Sequence, residues 1–157
     1  MKVILYRPKI PQNTGNIVRT CHATGVQELI LVKPLGFKTD NASLKRAGLD
    51  YWEGVKVKET SDLKEYLSQE SGPFYFFSSK ASQVYSRVSL PLNSVLIFGS
   101  ETEGLPSFFH ENWADSFLTI PMRQQSRCLN LSNAVAIAIY EVLRQNSYTF
   151  LSSIEGV

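Results

Sequence analysis

Cysteine, histidine and long apolar runs are all scarce in this chain, and each scarcity removes a class of function. Only two of the 157 residues are cysteine, Cys21 and Cys128. They lie far apart, with no C-x-x-C and no histidine at ligand spacing, so no metal site and no disulfide framework are expected, and a reducing cytoplasm is the natural home. The two histidines, His22 and His110, stand in no G-x-S-x-G or Cys-His context. That removes hydrolysis by an activated serine or cysteine and leaves both as packing or surface residues. The apolar stretch Ala134 to Tyr140 falls far short of the roughly 20 residues that cross a bilayer. Arg7, Pro8 and Lys9 cut off the run Met1–Tyr6 before it can form a signal-peptide core, so neither membrane nor export is expected. Also missing is G-x-G-x-x-G after the first strand. That turn reads Arg7-Pro8-Lys9-Ile10-Pro11, which disfavours the usual dinucleotide fold. Charge of one sign is lacking too: 16 Lys+Arg against 14 Asp+Glu leave +2, which permits a polyanionic partner without requiring one.

What is present suits one domain over residues 1–157, since 43% hydrophobic residues suffice for a continuous core. Apolar or aromatic runs recur at Val3–Tyr6, Leu29–Val32, Val55–Val57, Phe74–Phe77, Val95–Phe98 and Phe117–Ile120. Most are continuous rather than alternating, as in parallel strands covered on both faces. Helices are expected over Thr14–Thr24, with Asn13 as N-cap, over Ser43–Ala47, and over Asp62–Leu67. A last helix carries Leu131, Val135, Ala138, Ile139 and Val142 on one stripe, with Glu141, Arg144 and Gln145 off it. Strand and helix alternate, so the class is α/β, a mostly parallel sheet flanked by helices. After Asn146 periodicity is lost, and residues 147–157 are expected to form a loosely ordered tail.

Ligands of α/β proteins sit on loops leaving the carboxyl ends of strands, and three such junctions carry unusual residues. Ile10 to Arg19 runs from the first strand into the first helix and places Asn16 and Arg19 on one face, three residues apart. By itself it also reads as an asparagine cap plus a solvated arginine. Phe98-Gly99-Ser100-Glu101-Thr102-Glu103-Gly104-Leu105-Pro106 has the glycine spacing of a P-loop, but Leu105 and Pro106 replace the Lys and Ser/Thr that phosphate and Mg²⁺ require. A glycine turn beside two acids suits hydroxyls or positive charge, as in the ribose and sulfonium of S-adenosylmethionine (AdoMet); it also suits a plain tight turn. Thr119 to Asn133 joins the last strand to the last helix and is dense in hydrogen-bonding groups. Ser132 or Asn130 can cap that helix, whose exposed amides would face a ligand.

Together the three segments resemble the SpoU-type members of the SPOUT methyltransferase superfamily, with motifs N-x-G-x-x-x-R, F-G-x-E-x-x-G-L and I-P-M…S-x-N-x-S-N-A. Here these read Asn13 to Arg19, Phe98 to Leu105, and Ile120-Pro121-Met122 followed by Cys128 to Ala134. Cys128 stands where relatives commonly have serine. Ile10 to Asn16 and Arg46 to Tyr51 are most similar to the minimal subfamily of tRNA (cytidine(34)-2′-O)-methyltransferases, which act at the wobble nucleotide of leucine tRNAs. The resemblance implies a deep C-terminal trefoil knot, a homodimer that shares its active sites, and AdoMet as methyl donor with no metal. It implies Arg19, Asn13 and Asn130 as catalytic residues, and Phe77, Gly99, Glu101, Ile120, Met122, Cys128 and Leu129 as cofactor contacts. An anticodon stem-loop would meet positive groups drawn from Arg7, Lys9, Lys45, Arg46, Arg123 and Arg127, with Arg127 foremost. Two other readings stay open: a SPOUT enzyme acting on another tRNA or rRNA nucleotide, and a knotted RNA-binding protein without catalysis.

Overall fold

The computed structural model describes residues 1–38 and 54–149. Its strands are β1 (Lys2–Tyr6), β2 (Glu28–Val32), β3 (Lys56–Thr60), β4 (Phe74–Phe77), β5 (Gln83–Val84), β6 (Val95–Phe98) and β7 (Phe117–Thr119). They form one sheet in the order β3-β2-β1-β6-β4-β7-β5, and every pairing is parallel. At the centre, Ile4 lies between Ile30 and Ile97, and Leu5 between Leu31 and Phe98. The unbroken apolar runs thus occupy the strands covered on both faces, as the sequence predicts.

Each face has its own core. Val3, Leu5, Leu29, Leu31, Leu96 and Phe98 point to one side, against Ile17, Val18 and Cys21 of α1 (Pro11–Ala23) and Val135, Ala138, Ile139 and Val142 of the C-terminal helix. Ile4, Ile30, Phe76, Val95, Ile97 and Phe117 point to the other, against α2 (Leu63–Ser68) and α3 (Ser107–Asn112) through Leu63, Leu67 and Phe109. The C-terminal helix, α4 (Leu131–Gln145), packs on α1. Its whole expected stripe is buried. So is Glu141, which the periodicity places off the stripe. Arg144 and Gln145 each donate to its carboxylate at 2.8 Å, and the arginine above all holds its pKa below the ordinary carboxylate value.

Some boundaries differ from the sequence reading for physical reasons. β3 is a charged edge strand; it runs on past Val57 because its ladder with β2 continues to Thr60 opposite Val32, and Lys58 donates to Glu28 on that neighbouring strand at 2.6 Å. Neither β5, two residues long, nor α3, six residues long, spans enough chain for periodicity to register. Asp62 caps α2 by accepting from the Glu65 amide at 3.0 Å. At the other end of the chain, Tyr148 donates its amide to the Leu143 carbonyl at 2.8 Å and packs on the first core. The expected helix at Ser43–Ala47, together with Lys45 and Arg46, lies outside the described residues. No described helix is long and apolar enough to cross a membrane.

Candidate active site

The Gly99–Pro106 loop leaves β6 at its carboxyl end and closes on itself. Ser100 and Gly104 exchange backbone hydrogen bonds at 3.2 and 3.0 Å, and the Ser100 hydroxyl accepts from the Glu103 amide at 3.2 Å. Two glycines permit this closure. Gly104 has φ of +69°, where side chains are strained. A Cβ on Gly99 would lie 2.2 Å from the Gly104 carbonyl carbon and 2.6 Å from its Cα. The second motif therefore needs both glycines to bring two backbone segments together.

Glu101, at the tip of this loop, turns towards α1. Its Oε2 accepts from the Lys9 amide at 2.8 Å, and its Oε1 from the Ile10 amide at 3.1 Å and from Asn13 Nδ2 at 3.0 Å. This corrects the expected cap. Asn13 sits inside the first turn, 5% exposed. The helix starts at Pro11, and its N-cap residue, Ile10, has no side chain able to accept. Pro11 suits the first helical position because that amide has no partner within the helix. The anion favoured at the positive end of the helix comes instead from a loop far along the chain.

The network continues into the third motif. Because a carboxylate only accepts, Asn13 must point its NH2 at Glu101 and its Oδ1 away. That oxygen accepts from Asn130 Nδ2 at 2.9 Å, which turns Asn130 Oδ1 towards Ser132, accepting from its amide at 2.9 Å and its hydroxyl at 2.6 Å. Asn130 is thus the cap of α4. One chain of hydrogen bonds, Glu101–Asn13–Asn130–Ser132, joins all three motifs with every amide orientation fixed by chemistry.

Between the second and third motifs lies a cavity of about 530 Å³ at the carboxyl ends of β4, β6 and β7, extending to the start of α4. All seven residues expected at the cofactor, Phe77, Gly99, Glu101, Ile120, Met122, Cys128 and Leu129, line it. The cavity is large enough for a nucleoside-sized ligand. Its walls combine stacked rings, Phe77 on Phe98 with centroids 4.8 Å apart, with the acids Glu101 and Glu103. Apolar walls with a few acids fit an adenine ring beside a ribose and a cationic sulfonium. At Cys128 the Sγ lies 3.5 Å from Ser79 Oγ, so the thiol is within reach of a partner at the cavity wall.

Five lining residues escaped the sequence reading: Ser78, Ser79, Lys80, Ser107 and His110. Ser78, Ser79 and Lys80 follow β4 directly, so the strand-end rule applied to Phe77 reaches them too. His110 combines packing with a place in the wall. It stacks on Phe117 with centroids 3.7 Å apart, and burial, then Lys80, lowers its pKa. Nothing in its sequence context marks it. Arg19, by contrast, lies exposed on α1 and is not among the lining residues. Arg123 and Arg127 are exposed on the third-motif loop, and Arg7 is exposed at the end of β1. Lys9, also exposed, pairs through its Nζ with Glu103.

An open parallel sheet with a cavity at its carboxyl edge, built from strand-to-loop junctions, is the arrangement in which α/β proteins hold small-molecule ligands. The SpoU rRNA Methylase family model matches residues 1–140, and the chain belongs to that methylase family. A tRNA (cytidine(34)-2'-O)-methyltransferase of Yersinia pestis is 41% identical over 155 residues, covering 94% of this chain and 95% of the relative. Among solved structures, one described as "Structural insights into the 2-OH methylation of C/U34 on tRNA" is 36% identical with a TM-score of 0.85, covering 94% of this chain and 96% of that one. An AdoMet-bound rRNA methyltransferase from Sinorhizobium meliloti is 26% identical with a TM-score of 0.77, covering 91% of this chain and 55% of the other.

Proposed function

We propose that the chain is an AdoMet-dependent methyltransferase acting on the ribose 2′-hydroxyl of nucleotide 34, a cytidine or uridine derivative, in the anticodon loop of leucine tRNAs. The observation that carries the cofactor assignment is the convergence of six motif residues and Phe77 on one cavity. The Yersinia pestis relative, with coverage near complete in both chains, supports the target nucleotide.

When bound, the sulfonium cofactor supplies an activated methyl group and its own leaving group. What the chain must add is position, since a well-oriented pair of reactants gains most of the available rate. Arg19 would hold the 2′-hydroxyl and the adjacent phosphate through its forked donors, with the proton passing late to solvent or to a phosphate oxygen. An arginine is not deprotonated in proteins, so it serves as a donor rather than a base. Asn13 and Asn130 would be positioning residues, through the network that ties α1 to both cavity loops. Arg127, Arg7 and Lys9 would contact tRNA.

The same reading includes a homodimer: Arg19 lies outside its own chain's cavity, and a second copy would bring it to the reacting hydroxyl. It also includes a trefoil knot formed where the chain from Ile120 into α4 passes the Gly99–Pro106 loop. Support for the knot is that both loops line one cavity and that α4 returns to pack on α1 and β6.

Calorimetric titration with AdoMet tests the cofactor assignment. Wild-type protein is expected to bind one equivalent per chain. Gly99→Ala, which places a methyl against the Gly104 backbone, should bind about five- to 150-fold more weakly, as overpacking typically costs about 1–3 kcal/mol. Absence of binding by the wild type would contradict the reading.

A further inference from the structure

A second, more open cavity of about 620 Å³ lies at the carboxyl ends of β1, β2 and β3. Because the sheet is parallel throughout, this is the same edge that carries the motif cavity. Arg7 enters it from the end of β1, Lys33 from the end of β2, and Glu59 and Ser61 from the end of β3, with Phe37 and Lys38 on the following loop. Three cations face one carboxylate, although the whole chain carries only +2. Lys33 also lies 2.7 Å from Glu59, so three cations against one carboxylate leave this lining with two positive charges in excess.

Arg7 occupies a backbone conformation that glycine would adopt without strain. Its φ is +51°, fixed by its amide donating to the Val32 carbonyl at 3.0 Å. Its guanidinium lies over the Tyr6 ring, 5.0 Å from the centroid, at the cavity wall.

One short stretch separates the two cavities. Gly36, on the rim of the second, donates its amide to the Pro8 carbonyl at 2.9 Å and packs so closely on Lys9 that a Cβ would fall 2.6 Å from its Cα. Lys9 and Ile10 in turn donate to Glu101 at the first cavity. The two cavities therefore lie on the same edge of the sheet and are joined by a single stretch of contacting backbone, Pro8 to Ile10.

We propose that this second cavity is a backbone subsite for the RNA substrate, taking phosphodiesters beside the methylated nucleotide through Arg7, Lys33 and Lys38. The inference rests on the methyltransferase reading above. Backbone contacts of this kind set register and affinity without reading sequence, and each cation displaced onto a phosphate steepens the salt dependence of binding.

The test compares wild type with Lys33→Ala/Lys38→Ala, two exposed residues outside the motif cavity. Both are titrated with leucine tRNA over a range of salt, and AdoMet binding reports an intact fold. Expected in the double variant are AdoMet affinity within twofold of wild type, tRNA affinity about tenfold lower near physiological salt, and a log–log salt slope shallower by about two. A double variant with wild-type AdoMet affinity, tRNA affinity and salt slope would overturn the subsite while leaving the methyltransferase reading standing. Should AdoMet affinity also change, the single substitution Lys38→Gln decides: about threefold weaker tRNA binding with a slope shallower by about one supports the subsite, and no change overturns it. Wild type that binds no tRNA would remove the parent reading and the subsite together.

Discussion

Arg19→Ala is expected to lower the rate of methyl transfer by about 10²- to 10³-fold while leaving AdoMet affinity unchanged. That magnitude is on the order of what misplacing the reacting groups by about 1 Å costs, since Arg19 is read as holding the 2′-hydroxyl in position. The structure separates the two properties because Arg19 is exposed on α1, outside the cavity that the cofactor contacts line. Single-turnover rates at saturating AdoMet and tRNA check the prediction. Arg19→Lys should recover only part of the loss, since an ammonium keeps the charge but not the planar fork that can hold a hydroxyl and a phosphate together. Near-normal turnover in Arg19→Ala with unchanged tRNA binding would assign the chemistry elsewhere.

Glu101→Gln should damage stability and catalysis together, because the carboxylate closes the start of α1 and anchors the network to Asn130. Glutamine keeps one accepting oxygen but turns an NH2 toward amide donors that now meet a carboxylate, so the amides of Lys9 and Ile10 and Asn13 Nδ2 cannot all be satisfied. The expected loss is about 2 kcal/mol, typical of breaking hydrogen bonds to a charged group at a partly exposed site. For a chain of this size that lowers Tm by about 4–8 °C. Turnover should fall by at least tenfold at saturating AdoMet, since α1 also carries Arg19. The network adds a sharper expectation: Glu101→Gln and Asn13→Ala should be strongly non-additive, as contacting residues are. Strict additivity between Glu101 and Asn13 would show that the chain of hydrogen bonds is not a unit.

Much of this arrangement was legible in the sequence, for a physical reason. Strands covered on both faces must be apolar throughout, so the cores of β1, β2, β4 and β6 announce themselves, and the stripe from Leu131 to Val142 can only be a helix packed on one side. The motif residues likewise fall at strand ends, where a parallel sheet opens its crevice. What escaped depends on contacts between distant parts of the chain. Asn13 looks like a local cap because the residue that closes the helix, Glu101, is 88 positions away from it. Glu141 looks solvent-facing until Arg144 and Gln145 are seen to satisfy it in place. His110 enters the cavity wall through its stacking on Phe117, which no local pattern encodes.

The role of the second motif's acids changes most between sequence and structure. Read locally, Glu101 and Glu103 face a ligand's hydroxyls or positive charge. In the folded chain, Glu101 is also the link between α1 and the cavity loop, and Glu103 neutralises Lys9, which holds the Glu103 pKa below the ordinary carboxylate value. Lys9, ion-paired with Glu103, is therefore the weaker of the proposed RNA contacts near this loop, and Arg7, which acts on Glu103 through its charge alone, the stronger.

The most direct measurement is to incubate the purified protein with unmodified leucine tRNA and methyl-labelled AdoMet, then map the label to a nucleotide and to an atom. The account predicts label on the ribose 2′-oxygen of nucleotide 34, appearing about 10²- to 10³-fold more slowly in Arg19→Ala. Label on a base, or on a ribose elsewhere in the tRNA, would contradict it.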